Sequence, residues 1–211
     1  MSKTKAHTRY KNKDGKVVPG VTTILGNLGW NTRTLMAWSR REALEGNDPD
    51  KIRDNSADIG TLAHYLCECD AIGAVPDTDE YSPAHLEIAN RCYNAYLSWK
   101  NQTQIDKIEA EIKVVSERYQ FGGQADIILT SGDKQILIDL KTSNGVYPEH
   151  HIQSVAYMKA LNENGYNISE IYILHLGKDG EFTPYPVTKH RDLWRTFKHC
   201  LCLHKLHKVI K

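Results

Sequence analysis

Long hydrophobic runs are missing from this sequence of 211 residues. No stretch approaches the roughly 20 consecutive apolar residues of a membrane-spanning helix. The opening segment MSKTKAHTRYKNKDGK contains no apolar stretch that would serve as a signal peptide. Internal repeats and low-complexity segments are absent as well. These absences predict a cytosolic protein that makes no membrane contact.

Cysteine is scarce, and its spacing does not match the usual paired motifs. The chain has five cysteines, an odd number, and four of them form the C-x-C pairs Cys67/Cys69 and Cys200/Cys202. Metal and redox pairs usually have the spacing C-x-x-C. We therefore interpret the cysteines as reduced thiols. In the tail HCLCLHKLHK, Cys200 and His204 would share a helical face, but no second ligand pair is evident for a zinc site.

Net charge is also small, although the charges are unevenly distributed. The formal net charge is +1, yet residues 1–16 carry six Lys/Arg against one acid, and residues 189–211 carry seven against one. The segment between them carries 14 basic and 24 acidic residues. Basic ends would suit a polyanion, and an acidic centre would suit a cation. Solvated tails around an acidic surface explain the same distribution equally well.

The composition is that of one ordinary globular domain. Apolar residues make up 40% of the chain and charged residues 25%. We predict a single domain over residues 1–211 with three parts. These are a hairpin and helical N-terminal part over 1–104, a sheet core over 105–188, and a basic C-terminal helix over 189–211.

The N-terminal part is predicted to be mainly helical. We predict, in order, a hairpin around the Lys13-Asp14-Gly15 turn, a helix entered through Thr22 or Thr23, and helices over 32–46, 57–72 and 83–101. A polar, Asp-rich stretch at 47–55 precedes the helix over 57–72.

The following part has the character of a sheet. We predict strands over 111–118, 123–130 and 135–141, a helix over 149–163, a strand at IYILHL, a turn and a final strand, and then a helix from near Lys189. Helix, three strands, helix and strand in this order predict an α/β (α+β) fold around one mixed sheet.

The stretch QILIDLKTSNG, residues 135–145, ends an apolar run with a carboxylate and an ammonium. Residues i and i+2 of a strand project from one face, so Asp139 and Lys141 are predicted to point the same way. A solvent-exposed ion pair, worth less than about 1 kcal/mol, is one interpretation. Half of an active site is the other. The pattern alone does not decide, because acid-any-Lys also occurs at 14–16 and 111–113.

Two further acids are predicted to join Asp139. Segment GGQADIIL places Asp126 after two glycines that would let backbone or a ligand approach closely. Glu111 opens the first predicted strand, and Glu109 is a nearby alternative. If the strands pair as neighbours, Asp126 and Asp139 lie side by side, and a divalent cation, Mg²⁺ or Mn²⁺, would relieve their repulsion. Lys141 would then orient a metal-bound water and stabilise developing negative charge.

Two helices supply further polar candidates. His64 lies four residues after Gly60, and Glu68 lies one turn beyond on the same face. In HHIQSVAYMKAL, Gln153 and Tyr157 share a face at i, i+4, and both are predicted to point into the active edge of the sheet. Ordinary helix residues on an amphipathic edge are the alternative interpretation.

In this order, these motifs resemble the PD-(D/E)XK nuclease superfamily. The resemblance covers roughly residues 18–160 and rests on Gly-x-x-x-His at 60–64, Glu111, Gly123-x-x-Asp126, Asp139-x-Lys141-Thr142-Ser143 and Gln153-x-x-x-Tyr157. The RecB-like exonuclease branch, with phage exonucleases, AddAB nuclease domains and CRISPR-associated exonucleases, is the most similar. The opening VPGVTTIL and the 15-residue step from Glu111 to Asp126 are similar to the mitochondrial genome maintenance exonuclease.

The resemblance implies a fold and a set of roles. The fold is a restriction-endonuclease-like core, α/β (α+β), with a central mixed sheet in the order helix-strand-strand-strand-helix-strand and a helical N-terminal region. The implied catalytic residues are Lys141, Asp126, Asp139, Glu111 and His64. The implied metal ligands are Asp126, Asp139, the carbonyl of Leu140, and His64. The implied substrate-binding residues are Gln153, Tyr157, Thr142 and Ser143.

The resemblance also implies an activity. It predicts a metal-dependent deoxyribonuclease, an exonuclease acting on DNA in recombination, repair or DNA processing, with Mg²⁺ or Mn²⁺ as cofactor. The expected location is the cytoplasm of a bacterial or phage-infected host cell, and a recombination or replication protein is a candidate partner. A structure-specific endonuclease, such as a junction resolvase, and a DNA-binding module without turnover are the alternatives.

Some members of the family hold an iron–sulfur cluster on four cysteines, one of them before the Gly-x-x-x-His motif and three near the C-terminus. Here no cysteine precedes Cys67, and only Cys200 and Cys202 lie late in the chain. We therefore expect no iron–sulfur cluster. The basic C-terminal helix is instead predicted to touch DNA or to pack on the core.

Overall fold

A five-stranded mixed sheet lies between two layers of helices in the computed structural model, which describes residues 9–210. In chain order the elements are β1 (Tyr10–Lys11), β2 (Val17–Val18), α1 (Val21–Leu25), α2 (Thr32–Leu44), α3 (Pro49–Ile72), α4 (Pro83–Gln102), β3 (Lys107–Ser116), β4 (Phe121–Ser131), β5 (Lys134–Lys141), α5 (Pro148–Glu163), β6 (Ile168–Leu176), β7 (Phe182–Pro186) and α6 (His190–Ile210).

The sheet has the strand order β3-β4-β5-β6-β7. Strands β3, β4 and β5 form an antiparallel meander, β5 and β6 are parallel, and β7 returns antiparallel to β6. A parallel pair needs a long crossover, and α5 supplies it. The predicted mixed sheet with the order helix, three strands, helix and strand is confirmed.

Two apolar cores cover the two faces of the sheet. Helices α1, α5 and α6 pack on one face around Phe121 and Phe197, and α3 and α4 pack on the other around Leu62. Because side chains alternate along a strand, Leu137 of β5 enters the first core and Ile138 enters the second. The middle strands are therefore buried on both sides, so a polar residue on them needs a specific reason.

Helix α3 begins earlier than the sequence predicts. The predicted start near residue 57 is wrong, because Pro49 occupies the first turn of the helix and Asp48 caps it. The Asp48 side chain accepts hydrogen bonds from the backbone N–H groups of Asp50 and Lys51. The result is a 24-residue helix that carries the predicted Gly-x-x-x-His motif.

The remaining N-terminal predictions agree with the structure. Strands β1 and β2 form the predicted hairpin, and α1, α2 and α4 begin and end close to their predicted bounds. Within residues 9–210, no helix is long and apolar enough to cross a membrane. Residues 1–8 of the predicted basic segment 1–16, and Lys211 of the C-terminal one, lie outside the described residues.

Candidate active site

Asp139 and Lys141 lie inside the protein at the end of β5. Asp139 is 1% exposed, and the Lys141 side chain is 16% exposed. Lys141 Nζ lies 2.5 Å from Asp139 Oδ2, whereas Asp139 Oδ1 has no hydrogen-bond partner among the described residues. The interpretation as a solvent-exposed ion pair is therefore wrong. A buried carboxylate with one oxygen left without a donor is expensive, which points to a functional role.

Asp126 lies where β4 and β5 stop pairing. The paired residues of these strands end at Ile127 and Ile138, one step before the two aspartates. Beyond that point the Leu140 N–H donates a 2.8 Å hydrogen bond to Asp126 Oδ2, so a side chain takes the place of a backbone acceptor. If this pairing is continued by one residue, Asp126 stands opposite Asp139. The prediction that the two aspartates lie side by side on neighbouring strands agrees with this placement. The end of the strand pair thus brings two carboxylates together, of which Asp126 lines a groove and Asp139 is buried.

The surroundings shift the pKa values of the two aspartates in opposite directions. Burial raises the pKa of Asp139 to about 6, with Lys141 opposing the rise and Asp126 adding to it. Burial also acts to raise the pKa of Asp126, but His64, Lys141 and the Leu140 amide outweigh it and lower that pKa overall. Asp126 is therefore the stronger acid. Such divergence between close carboxyl groups is common where acids have different chemical roles.

Helix α3 brings His64 to this cleft. His64 Nδ1 lies 3.4 Å from Asp126 Oδ1. The helix can approach because it has glycine at position 60, where a Cβ would lie only 2.9 Å from Thr142 Oγ1. The predicted Gly-x-x-x-His motif therefore has a physical basis. Gly60 seats the helix against the end of β5, and the histidine one turn later meets the carboxylate.

Glu111 lies in the middle of β3, not at its start. The strand begins at Lys107, four residues earlier than the sequence predicts. The pairs Ala110–Ile127 and Ile112–Ala125 set Glu111 opposite Asp126, and Glu111 has a left-handed φ of 55°. Non-glycine residues rarely adopt this conformation inside a strand, and such strain clusters at functional sites.

Gln153 and Tyr157 form the predicted i, i+4 pair on α5 but point inward. Gln153 Nε2 donates a 2.8 Å hydrogen bond to the Tyr157 hydroxyl, and Tyr157 is 6% exposed. Burial, with the negative charges of Asp139 and Asp126, raises the pKa of Tyr157. The tyrosine therefore lies near the carboxylates but has little surface for contact with a large substrate.

The two glycines before Asp126 accommodate tyrosine rings. A Cβ at position 123 would lie 2.4 Å from Tyr157 Cε1, and a Cβ at position 122 would lie 2.4 Å from Tyr10 Cγ. Backbone also approaches at Gly122, whose N–H donates to Pro19. Tyr10 comes from the N-terminal hairpin, and burial, with the charge of Glu111, raises its pKa. Sequence reasoning missed Tyr10, because nothing in its segment indicates that the hairpin borders the site.

Two grooves flank the contact between Gly60 and Thr142. The acidic groove has a volume of 300 Å³ and is lined by Gly60, Thr61, His64, Glu111, Gln124, Asp126 and Thr142. The basic groove has a volume of 430 Å³, and its polar lining includes His64, Lys141, Ser143, Tyr147, His150 and Lys178. Glu111 and Asp126 thus line one groove and Lys141 and Lys178 line the other, and the two grooves share Gly60, His64 and Thr142.

Several residues of the basic groove were not identified from the sequence. Lys178 follows β6, and His150 begins α5, where its Nδ1 accepts a hydrogen bond from the Tyr147 N–H. Burial, with the positive charge of Lys141, lowers the pKa of His150 to about 4, so this imidazole is neutral at physiological pH. Only the parallel pairing of β5 with β6 brings these elements together. The sequence has no local signal for that pairing.

Thr142 and Ser143 continue from β5 into the turn that separates the grooves. The Ser143 hydroxyl donates to the Gly145 carbonyl at 2.8 Å, and the Ser143 carbonyl lies 2.6 Å from His175 Nε2. His175 is the residue of β6 that pairs with Lys141. The Ser143 side chain is therefore used to hold the turn, whereas Thr142 lines both grooves.

The donor set of the site suits a hard cation more than zinc. Among residues 9–210, no group of three or more His, Cys, Asp or Glu side chains stands close enough together to hold a metal. A zinc site would need three or four such ligands. Mg²⁺ is commonly held by one or two carboxylates, with water and substrate phosphates completing its shell. Asp126 and Asp139 fit that second pattern, and Asp139 Oδ1 has no hydrogen-bond partner among the described residues.

Comparison with known proteins adds information about the fold. No protein-family model matches the chain, and no curated protein matches it. Among solved structures, SSO0001 is similar with a TM-score of 0.50 and 16% identity, over 94% of this chain and 79% of that one. An alkaline exonuclease from Laribacter hongkongensis has a TM-score of 0.44 and 15% identity, over 71% of this chain and 79% of that one. The likeness to SSO0001 shows a shared fold, and the likeness to the exonuclease is too low to add to it.

Proposed function

We propose that this chain is a metal-dependent deoxyribonuclease that hydrolyses phosphodiester bonds as an exonuclease, in DNA recombination, repair or processing. The buried Asp139 carboxylate carries this proposal. It is 1% exposed, pairs with the Lys141 ammonium through one oxygen, has no hydrogen-bond partner among the described residues at the other, and lies opposite Asp126, which lines the acidic groove. A purely structural role would favour an apolar residue at this position.

Asp126 and Asp139 would hold Mg²⁺ or Mn²⁺, with the Leu140 carbonyl and His64 as further candidate ligands. Such a cation, when bound, supplies charge stabilisation at a phosphate and lowers the pKa of a coordinated water. The rest of the site positions these carboxylates. The Leu140 N–H holds one oxygen of Asp126, and His64 lies against the other.

Lys141 would act on the charged substrate. Its ammonium lies on the basic side of the site, within reach of a phosphate in that groove. There it would stabilise the negative charge that develops on the phosphoryl oxygens and orient the attacking water. Lys178 adds positive charge to the same groove and would hold a neighbouring phosphate.

Digestion of DNA tests the proposal and separates its alternatives. The purified protein is incubated with Mg²⁺ or Mn²⁺ and with linear, circular, single-stranded and double-stranded DNA. An exonuclease shortens linear DNA and spares closed circles, whereas an endonuclease cuts circles or branched junctions. A binding module shifts DNA in a gel but leaves it intact, and that result would end the enzymatic proposal.

Asp126→Asn and Asp139→Asn test the site itself. Each variant should lose cleavage while still binding DNA, because each removes a carboxylate but leaves the basic groove unchanged. Asp70→Asn is the matched control, since Asp70 pairs with Lys100 at 2.6 Å on the α3–α4 side of the protein. Cleavage by either site variant at the rate of the control would show that the activity resides elsewhere or in a contaminant.

A further inference from the structure

One residue of the basic groove carries an aromatic ring that the proposed chemistry does not use. Tyr147 lines this groove together with Lys141 and Lys178, and it is 40% exposed. It belongs to neither of the two apolar cores of the fold. A tyrosine that serves packing usually buries its large ring, so packing does not explain this one.

Helix capping does not explain a tyrosine at this position either. Tyr147 is the N-cap residue of α5, where serine, threonine, aspartate or asparagine is usual, because their side chains accept hydrogen bonds from the first turn. Here the Tyr147 N–H donates a 3.2 Å hydrogen bond to His150 Nδ1, and the Tyr147 carbonyl accepts one of 3.0 Å from the His150 N–H. Both bonds use only the backbone of Tyr147, so they do not require its ring.

His150 holds the Tyr147 ring beside the groove. The two ring centroids lie 5.4 Å apart with their planes at 74°, which is an edge-to-face contact. Such a contact leaves at least one face of the tyrosine ring uncovered by the imidazole. Because burial lowers the pKa of His150 to about 4, the imidazole is uncharged at physiological pH and does not compete with the lysines for a phosphate.

A nucleobase is the planar group that the groove would bring to this ring. Lys141 and Lys178 give the groove positive charge, which attracts phosphates. Each phosphate of DNA is joined through one sugar to a base, and bases with an uncovered face stack on aromatic side chains. A free phosphate would use the lysines but leave the ring in water. A nucleotide unit uses both.

We propose that Tyr147 is a positioning residue that stacks on one nucleobase of DNA while Lys141 binds a neighbouring phosphate. The contact rests on the proposed function, because it needs DNA in the basic groove, and it adds a residue that fixes the phosphate relative to Lys141. Stacking uses the face of the ring and not the hydroxyl group, so a phenylalanine at this position would serve equally well.

Fluorescence polarisation with abasic DNA tests the stack. The probes are a short labelled oligothymidine and a series of the same strand in which one nucleotide at a time carries tetrahydrofuran in place of its base. Binding is measured in Ca²⁺. The wild-type protein should bind at least one abasic strand about tenfold more weakly than the intact strand, since one stacked base contributes about that much.

Tyr147→Ala should bind the intact strand about tenfold more weakly than the wild type does. It should also bind the discriminating abasic strand and the intact strand equally, because either change alone already removes the stack. A tyrosine with a purely structural role would not produce this coupling between the side chain and one base.

Further substitutions separate the ring from its size and its exposure. Tyr147→Phe should bind like the wild type, whereas Tyr147→Leu should bind like Tyr147→Ala, because leucine is apolar but has no flat face. Tyr185→Ala on β7 is the matched control, since Tyr185 is 41% exposed and lines neither groove of the site. Its binding should equal that of the wild type, and all four variants should keep the wild-type melting temperature.

The stack and the proposed function fail in different ways. A wild-type protein that neither binds nor cleaves the intact strand would refute the proposed function, and the stack with it. If the wild type cleaves DNA but Tyr147→Ala binds as tightly as Tyr185→Ala, the stack alone is refuted. The same holds if Tyr147→Ala still distinguishes the abasic strand from the intact one, because another residue then contacts that base.

Discussion

Asp139 has a position that is unfavourable for stability. Its carboxyl group is 1% exposed, and burial raises its pKa to about 6, well above the value near 4 of an exposed aspartate. A group with a raised pKa in the folded state binds protons more tightly there than in the unfolded chain. Its contribution to stability is therefore fully present below pH 4 and is lost as the pH rises to 6.

We expect Asp139→Asn to stabilise the protein at neutral pH in the presence of EDTA. A difference of two pKa units corresponds to about 3 kcal/mol, and the raised pKa already includes the attraction between Lys141 and the carboxylate. The advantage should disappear near pH 4, where the wild-type carboxyl group is protonated. Urea unfolding at pH 4, 5, 6 and 7 measures the difference in free energy of unfolding.

Asp126→Asn provides a control of opposite sign. His64, Lys141 and the Leu140 amide lower the pKa of Asp126, so its charged form stabilises the fold and its loss should destabilise the protein at pH 7. Equal effects of the two substitutions would mean that the two carboxyl groups have equivalent surroundings, contrary to the geometry.

We expect Lys141→Ala to reduce DNA cleavage about 100-fold or more while sparing DNA and metal binding. A group that acts on the transition state lowers turnover far more than affinity, and 100-fold is the usual size of one lost electrostatic stabiliser. Lys141→Arg should rescue poorly, because a planar guanidinium cannot replace a compact ammonium. Single-turnover cleavage with saturating enzyme, beside DNA binding in Ca²⁺, separates the two effects.

Lys113→Ala is the matched control for Lys141. Lys113 follows an acid by two positions, as Lys141 does, but it is exposed. Its loss should leave cleavage unchanged. A Lys141→Ala enzyme as fast as this control would reduce Lys141 to a structural partner of Asp139.

Strand β4 shows how one element positions several functional groups. Gly122 and Gly123 leave room for Tyr10 and Tyr157, and three residues later Asp126 reaches the end of the pairing with β5. Because the two glycines have no side chains, α5 and the N-terminal hairpin can both pack close to the sheet. A side chain added at either glycine would push one of these elements away from β4.

We expect Gly123→Ala to destabilise the fold by about 1–3 kcal/mol, the usual cost of overpacking a core. The new Cβ would lie 2.4 Å from Tyr157 Cε1, so the ring or the strand must shift. Cleavage should fall as well, because Asp126 is on the same strand. Gly145→Ala is the control, since a Cβ there meets nothing within 4 Å and its φ is not positive. Equal stability of both variants in urea unfolding would contradict the packing.

The charge distribution of the whole molecule places basic groups around an acidic site. The hairpin that carries Tyr10 also carries the exposed lysines 11, 13 and 16, and Tyr10 packs on Gly122 near Glu111, which lines the acidic groove. DNA that reaches the carboxylates would therefore pass this hairpin. The predicted basic segment 1–16 thus lies next to the site, at least over its described part.

We expect simultaneous change of Lys11, Lys13 and Lys16 to glutamine to flatten the salt dependence of DNA binding. Each lost phosphate contact lowers the slope of log K against log salt by about 0.9 for a duplex. The slope is measured by polarisation between low and moderate salt, and Arg195→Gln with Lys198→Gln on α6 should leave it unchanged. If the hairpin substitutions leave the slope unchanged, these lysines do not contact phosphates, and the segment is a solvated surface.

The sequence by itself determined the pieces that depend on local periodicity. Alternating and helical patterns predict the meander, α4 and α5, and the acid-any-Lys stretch with its flanking acids predicts which residues share the site. The predicted helix boundaries are wrong where a helix cap sets them. Asp48 and Pro49 start α3 within the polar, Asp-rich stretch that precedes the predicted helix.

Only the tertiary structure decided which of these residues are buried and which are neighbours. Lys178 and His150 join Lys141 because β5 and β6 pair in parallel across a crossover helix, and Tyr10 joins through a hairpin more than 100 residues before its partner Gly122 on β4. The same packing turned Asp139 from a surface residue into a buried one. The physical reason is that burial, and the pKa changes that follow from it, depend on both layers of helices over the sheet. The sequence of one strand gives only one of the two partners in each contact.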